Sequence, residues 1–150
     1  MSSAGARTQP IRSPDQWLLL APPMVTVRRW WAAKGAGADR YVMVSYLGAG
    51  PDHGVDPSNP FHAYAEAKAA ADEHLRGTDL DWTILGPSGL TLEEPTGRID
   101  TAASESGTVS RGNVARTIVA ALAEPGSVGK FVTFNDGEQE IGEAFASLSR

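Results

Sequence analysis

The residues best suited to chemistry are a tyrosine and a lysine four positions apart, Tyr64 and Lys68. Residues at that spacing share one face of a helix, so the phenol and the ammonium point into the same space. A nearby ammonium favours the ionised form of a phenol, and such a phenol can exchange a proton near neutral pH. The pair predicts proton transfer; the alternative is a tyrosine ring in ordinary packing and a solvated lysine.

The segment that carries this pair is the strongest helix signal in the chain. Asn59 can cap the helix, Pro60 suits its first turn, and good helix formers continue to Leu75. We therefore expect one long helix with Tyr64 and Lys68 near its start.

A short apolar run, Tyr41 to Ser45, precedes that helix and predicts a buried strand. Ser45 would stand at the carboxyl end of the strand, where ligands bind in an open parallel sheet. We expect Ser45 to hydrogen-bond a substrate oxygen, Tyr64 to exchange its proton, and Lys68 to lower the pKa of Tyr64. The alternative for Ser45 is a serine that only caps the turn.

Strand and helix signals alternate along the rest of the chain. Further strands are predicted at 81–85 and 130–134, and further helices at 25–33, 110–122 and 141–148, with a long loop at 88–107. Ser110 would cap the helix at 110–122, whose apolar face would be Val114, Ile118, Val119 and Leu122. The alternation predicts an α/β fold with a parallel sheet of three or more strands flanked by helices. Residues 1–24 read as a disordered lead and 25–150 as the folded domain.

Composition narrows the classes of function. The 150 residues carry a net charge of −5 and no basic block, which disfavours nucleic acid and anionic membranes as partners. There is no cysteine, so disulfides, thiolate metal sites and a cysteine nucleophile are excluded. No stretch reads as a membrane span or a secretory signal, and the cytoplasm is the expected location.

Two further features resemble ligand sites, one for phosphate and one for a metal, but we predict no site at either. The glycine-rich stretch Gly48 to Gly54 follows a strand, but its prolines prevent a helix from opening there, so no helix dipole would face a phosphate. His53 lies near Asp52 and Asp56 on one loop, which we expect to be a solvated turn; His62 and His74 are twelve apart and offer no ligand pair. No metal site is expected.

Four segments together resemble a known family. They occur in the order and spacing of the C-terminal half of an atypical short-chain dehydrogenase/reductase, of the NmrA-like and epimerase-like kind that binds NAD(P), and the resemblance covers about Arg28 to Leu148. The segments are Arg40 to Ser45, Tyr64 with Lys68, Leu80 to Ile84 with Gly86-Pro87, and Val109 to Ala115.

The resemblance implies a partial Rossmann-like fold with Ser45, Tyr64 and Lys68 at the catalytic positions. Lys68 and Tyr64 would also contact the nicotinamide end of NAD or NADP, and Pro87 would lie beside the nicotinamide ring. Such proteins begin with a strand, a glycine-rich turn and a helix that holds the pyrophosphate. No such unit precedes Arg28, so roughly seventy residues of a 150–250-residue domain are missing from the match.

Two residues depart from the family pattern. Gly86 stands where the family often has arginine, and Asn113 where aspartate is frequent. Both departures concern the expected substrate pocket rather than the fold.

Three functions remain open: an oxidoreductase or epimerase acting on a small carbonyl or hydroxyl substrate, an NmrA-like sensor that holds dinucleotide without turnover, and an inactive truncated product. We also expect self-association, because the strand from Tyr41 to Ser45 would lack one of its family neighbours and leave an open sheet edge.

Overall fold

The computed structural model describes residues 35–149. The expected lead at 1–24 and the expected helix at 25–33 lie outside these residues. Within them, none of the helices is long and apolar enough to cross a membrane.

The core of the fold is a parallel sheet of three strands. Strand β1 (Arg40–Val44) pairs with β2 (Asp81–Pro87), which pairs in parallel with β6 (Lys130–Asp136). Two short strands, β4 (Arg98–Asp100) and β7 (Gln139–Glu140), extend the sheet antiparallel beyond β6, in the order β1-β2-β6-β4-β7. The predicted α/β fold with parallel strands is confirmed, but the whole sheet is mixed rather than parallel.

The segment expected to be one long loop, 88–107, contains strands. Strand β3 (Gly89–Thr91) pairs in parallel with β5 (Thr108–Ser110) in a separate small sheet, and β4 lies between them in the chain. The prediction of a loop is wrong there because strands of three residues are too short to show an alternating pattern. They are fixed by pairing with distant segments instead.

Helices cover both faces of the sheet. They are α1 (His62–Arg76), α2 (Arg111–Ala123) and α3 (Ile141–Ala146), with 3₁₀ turns at Pro125–Ser127 and Ser147–Ser149. The predicted cap of α2 is confirmed, since the Ser110 hydroxyl accepts a hydrogen bond from the Asn113 amide at 3.1 Å. Asn59 does not cap α1: its side chain accepts from the Phe61 amide at 2.9 Å, in a turn that precedes the helix.

Only half of the predicted apolar face of α2 packs on the sheet: Val114 is buried and Ile118 packs against the core. Val119 and Leu122 are 67% and 50% exposed, whereas Asn113 and Thr117 are fully buried. The Thr117 hydroxyl donates to the Asn113 carbonyl at 2.8 Å, so these polar groups are satisfied inside the protein. The buried face of α2 is therefore partly apolar and partly polar, and it is rotated away from Val119 and Leu122.

Helix α1 packs on the opposite face of the sheet. Its Ala71 and Leu75 are buried against Met43 and Ile84, which come from β1 and β2. Because this contact fixes both the rotation and the height of α1, it also fixes which of its residues face the carboxyl end of β1.

Among residues 35–149, β1 pairs only with β2 and so forms one edge of the sheet. Its Val42 and Val44 are half-buried.

We propose that the side of β1 that does not pair with β2 pairs with a second copy of the chain, because the backbone groups of an apolar edge strand are a template for strand addition. Light scattering of the purified protein at tens of micromolar should give a mass above that of one chain. A monodisperse monomer that melts cooperatively would contradict this.

Candidate active site

Three polar residues form a stripe on α1 that faces the end of β1. Tyr64, Lys68 and Asp72 follow one another at intervals of four, so they share one side of the helix. Ser45 is the first residue beyond β1, and its amide donates to the Leu85 carbonyl of β2 at 2.7 Å. The structure therefore brings Ser45, Lys68 and Tyr64 to one end of the sheet.

Asp72 lies at the base of this group. It is 1% exposed, and its Oδ2 accepts a hydrogen bond from the Ser45 hydroxyl at 2.8 Å. Its other oxygen, Oδ1, is buried without a hydrogen-bond partner in the part of the chain that the structure describes. Lys68 lies one turn before it and donates to the Val44 carbonyl at 2.9 Å. Ser45 and Lys68 are thus both held by groups inside the protein.

Tyr64 belongs to a cluster of three aromatic rings at the start of α1. Its ring centroid lies 5.8 Å from that of Tyr46 and 5.0 Å from that of Phe61. The Lys68 ammonium lies over the Tyr64 ring, 5.7 Å from its centroid. The Tyr64 hydroxyl has no hydrogen-bond partner among residues 35–149, which leaves it available to a ligand.

The electrostatics of the site differ from the sequence-based expectation. Burial raises the pKa of Tyr64, and the nearby Tyr46 and Asp72 raise it further. Burial lowers the pKa of Lys68, against the attraction of Asp72. The expectation that Lys68 lowers the pKa of Tyr64 is therefore wrong for the protein without cofactor: desolvation acts on both groups, and Tyr64 stays a protonated phenol at neutral pH.

Asp72 is the site residue that sequence reasoning missed. Burial raises the pKa of its carboxyl, opposed by the hydrogen bond from Ser45 and by the charges of Lys68 and Arg76. The signal was present in the spacing, because an aspartate eight positions after Tyr64 on an alanine-rich helix falls on the same side as Tyr64 and Lys68.

Pro87 closes β2 next to the site. It is buried, and its carbonyl accepts from the Leu47 amide at 2.9 Å, which joins the turn after β1 to the end of β2. At the preceding position, a Cβ on Gly86 would lie 2.7 Å from the Phe131 ring. Phe131 thus takes up the space that a side chain at this position would need, which gives the departure at Gly86 a packing cause.

The departure at Asn113 also has a structural cause. Its amide nitrogen donates to Asp136 at 2.6 Å and to the Arg98 carbonyl at 3.2 Å, and its oxygen accepts from the Gly97 amide at 2.8 Å. An amide can donate and accept at once, whereas an ionised aspartate can only accept. Asn113 therefore holds α2, β4 and β6 together, and its effect falls on the fold rather than on a substrate pocket.

The side chains at the end of β1 fit one part of a dinucleotide. The Lys68 ammonium has two further N–H groups beyond its bond to Val44, the Tyr64 hydroxyl can bond a ligand, and the Tyr46 hydroxyl is buried without a partner among the described residues. These groups suit the ribose and nicotinamide end. The stretch from Gly48 to Gly54 opens no helix, since the next helix begins at His62, so it forms no helix N-terminus for a pyrophosphate.

In the turn expected to be solvated, Asp52 and Asp56 are exposed, but His53 is packed against α1. The His53 side chain is 5% exposed, and its Nε2 lies 2.8 Å from Oε1 of Glu66 on α1. His62 contacts the same carboxylate oxygen at 3.9 Å. His53 and His62 therefore meet in space although the sequence pattern separates them.

Comparisons with known proteins agree with the resemblance seen in the sequence. The model of the NAD(P)H-binding family matches residues 3–125. An uncharacterized sugar epimerase of Bacillus subtilis, YhfK, is 36% identical over 119 residues, which are 78% of this chain and 54% of that protein. The chain spans about half the length of the curated relatives it matches.

Solved structures agree. The oxidoreductase ylbE of Lactococcus lactis superimposes with a TM-score of 0.74 at 33% identity, covering 82% of this chain and 57% of that one. A short-chain dehydrogenase/reductase of Veillonella parvula, solved in complex with NADP, gives a TM-score of 0.63 at 17% identity, over 79% and 60% of the two chains. The second likeness concerns the fold alone. Together the comparisons confirm the predicted Rossmann-like fold and NAD(P) as the cofactor class.

The buried carboxyl of Asp72 predicts a pH-dependent stability. Since its pKa is raised above 3.8 in the folded protein, the unfolded chain loses this proton first as the pH rises, and the folded state loses stability. Asp72→Asn carries no such proton. Urea unfolding at several pH values should show the wild type losing free energy of unfolding relative to Asp72→Asn from about pH 3.8 upwards. A difference that stays constant, or that grows in favour of the wild type, would contradict it.

Proposed function

Because the chain belongs to the NAD(P)H-binding family, we propose that it acts as a cytoplasmic NAD(P)-dependent oxidoreductase or epimerase on a small carbonyl or hydroxyl substrate. The observation that carries this is the Tyr64 hydroxyl, which has no partner among the described residues and belongs to a ring that the Lys68 ammonium lies over, 5.7 Å from its centroid. A phenol in that position can exchange a proton with a substrate oxygen.

The proton chemistry falls to Tyr64. A tyrosine is ordinarily protonated at neutral pH, and burial here strengthens that state, so Tyr64 is equipped to donate. In the reducing direction its O–H would give a proton to the carbonyl oxygen of the substrate. In the oxidising direction the phenolate would take the proton of a substrate hydroxyl. A bound NAD(P) would supply or accept the hydride.

Ser45 would act as an acceptor rather than a donor. Its hydroxyl hydrogen is directed to Asp72 at 2.8 Å, so its oxygen presents lone pairs to anything that approaches from the substrate side. A substrate hydroxyl can donate to this oxygen, whereas a carbonyl oxygen cannot bond to it until the hydroxyl rotates away from Asp72. This arrangement favours Tyr64 as the donor to a carbonyl.

Lys68 would position the ribose of the cofactor and keep positive charge beside Tyr64. One of its N–H groups is fixed on the Val44 carbonyl at 2.9 Å, which leaves the other two to bond ribose hydroxyls. The carboxylate of Asp72 opposes the lowering of the Lys68 pKa by burial and so favours the charged ammonium. A charged Lys68 would stabilise negative charge that develops on Tyr64 oxygen during proton transfer.

A non-catalytic sensor is the second candidate. It is favoured by the near-complete burial of Ser45, which is 4% exposed, together with its bond to Asp72. If the protein binds NADPH but oxidises none of it with a panel of carbonyl substrates, the sensor function is supported and the enzymatic function is rejected.

Tyr64→Phe tests the enzyme directly. The loss of a general acid typically slows a reaction by about 10²–10⁴-fold, and the ring that packs on Phe61 and Tyr46 is kept. The measurement is NADPH oxidation, followed by absorbance with the substrate that the wild type uses. Tyr41→Phe is the matched control, because Tyr41 packs in the core between α1 and the sheet. An undiminished rate in Tyr64→Phe would remove this residue from the mechanism.

A further inference from the structure

A second cluster of titratable groups lies on α1, on a different side from Tyr64. His62 lies two positions before Tyr64 and Glu66 two positions after it, so both lie on the other side of the helix. The loop after β1 folds back over them and brings in His53. The ligand atoms of these three residues all lie within 4.8 Å of one another.

The hydrogen bonds fix the tautomer of the neutral His62 ring. Its Nδ1 lies 2.8 Å from the Val55 carbonyl, and a carbonyl can only accept, so Nδ1 carries the proton. In the neutral ring the lone pair is then on Nε2, which lies 3.9 Å from Oε1 of Glu66. Two acceptors thus face each other across a gap, an arrangement that a cation between them would stabilise.

The spacing of the three ligand atoms is close to that of a zinc site. Zinc lies about 2.0–2.1 Å from histidine nitrogen and about 2.0–2.2 Å from carboxylate oxygen, so tetrahedral ligand atoms are about 3.4 Å apart. This value falls between the 2.8 Å and 3.9 Å that separate Oε1 of Glu66 from Nε2 of His53 and of His62, so small side-chain shifts would equalise the two. Two imidazoles and one carboxylate are a donor set that suits zinc, whereas calcium and magnesium prefer oxygen alone. We propose that His53, His62 and Glu66 bind a zinc-class divalent cation, with water in the fourth position.

Binding would require one rearrangement, at His53. The Val55 amide donates to His53 Nδ1 at 3.0 Å, so in this structure the proton of the neutral ring is on Nε2, 2.8 Å from Glu66. A metal on Nε2 moves that proton to Nδ1 and breaks the bond from the Val55 amide. The intervening Gly54 has a φ of +66°, a conformation that glycine adopts readily, which allows the turn to adjust.

Such an ion would fasten the loop to the first turns of α1. His53 belongs to the loop, and His62 and Glu66 belong to the helix, so coordination joins the two at a single point. Phe61 and Tyr64 are neighbours of these ligands in the chain. The ion would therefore hold the aromatic cluster in place without contacting the substrate.

Calorimetric titration of the metal-free, tag-free 150-residue protein with zinc chloride tests the proposal. We expect one site per chain, with Glu66→Gln at least tenfold weaker, since even outer-shell partners of a metal typically contribute about 10–100-fold. Glu66 is 61% exposed in its side chain, so this variant should fold, and its melting curve checks that. His74→Ala, a histidine on the same helix outside the cluster, is the control and should bind as the wild type does.

Histidine ¹⁵N spectra give a second, independent readout. Zinc should convert His53 from the Nε2–H to the Nδ1–H tautomer, leave His62 in the Nδ1–H form, and shift the Val55 amide. The proposal is overturned by the absence of a saturable one-to-one site, by equal affinity in Glu66→Gln, by equal affinity for magnesium, or by an unchanged His53 tautomer. Any of these results would mean that the cluster only joins the loop to α1 through the hydrogen bond between His53 and Glu66.

Discussion

The hydrogen bond between Ser45 and Asp72 is the interaction on which the site depends. Asp72 is almost fully buried, and an ionised carboxylate inside a protein is costly unless it is paired and hydrogen-bonded. The Ser45 hydroxyl supplies the hydrogen bond at 2.8 Å, and the Lys68 ammonium supplies the charge. Because both partners stabilise one carboxylate, the end of β1 and the face of α1 are held in a single arrangement.

The same arrangement explains why the pKa of Tyr64 is raised, although the spacing of Tyr64 and Lys68 predicts a lowered one. In a solvent-exposed helix, the Lys68 ammonium would have Tyr64 as its neighbour and would lower the pKa of that phenol. Here the ammonium is shared among the Val44 carbonyl, the charge of Asp72 and the face of the Tyr64 ring, while burial opposes ionisation of all three side chains. The phenol is thereby kept as a proton donor. Cofactor binding would change this balance, since a ribose bonded to Lys68 adds a further partner.

Features that depend on neighbours in the chain were predictable from the sequence. The apolar runs that form β1, β2 and β6, the α1 helix and the Ser110 cap all follow from local pattern. Features that depend on distant contacts were not: β3 and β4 are fixed by partners elsewhere in the chain, and the burial of Asn113 on α2 depends on its hydrogen bonds to Asp136 and Gly97. The pairing of His53 with Glu66 spans thirteen positions across a loop that no periodicity describes. Asp72 lay between these classes, because its spacing was visible but its burial was not.

The central claim is that the stripe on α1 binds the nicotinamide end of NAD(P), and separate cofactor fragments test it most directly. Titration of reduced nicotinamide mononucleotide and of adenosine diphosphate ribose into the wild type and into Lys68→Met compares the two ends of the cofactor. We expect the nicotinamide fragment to bind and Lys68→Met to weaken its binding, because the Lys68 ammonium has two N–H groups left to bond the ribose. Tight binding of the adenosine fragment, unaffected by Lys68→Met, would contradict it.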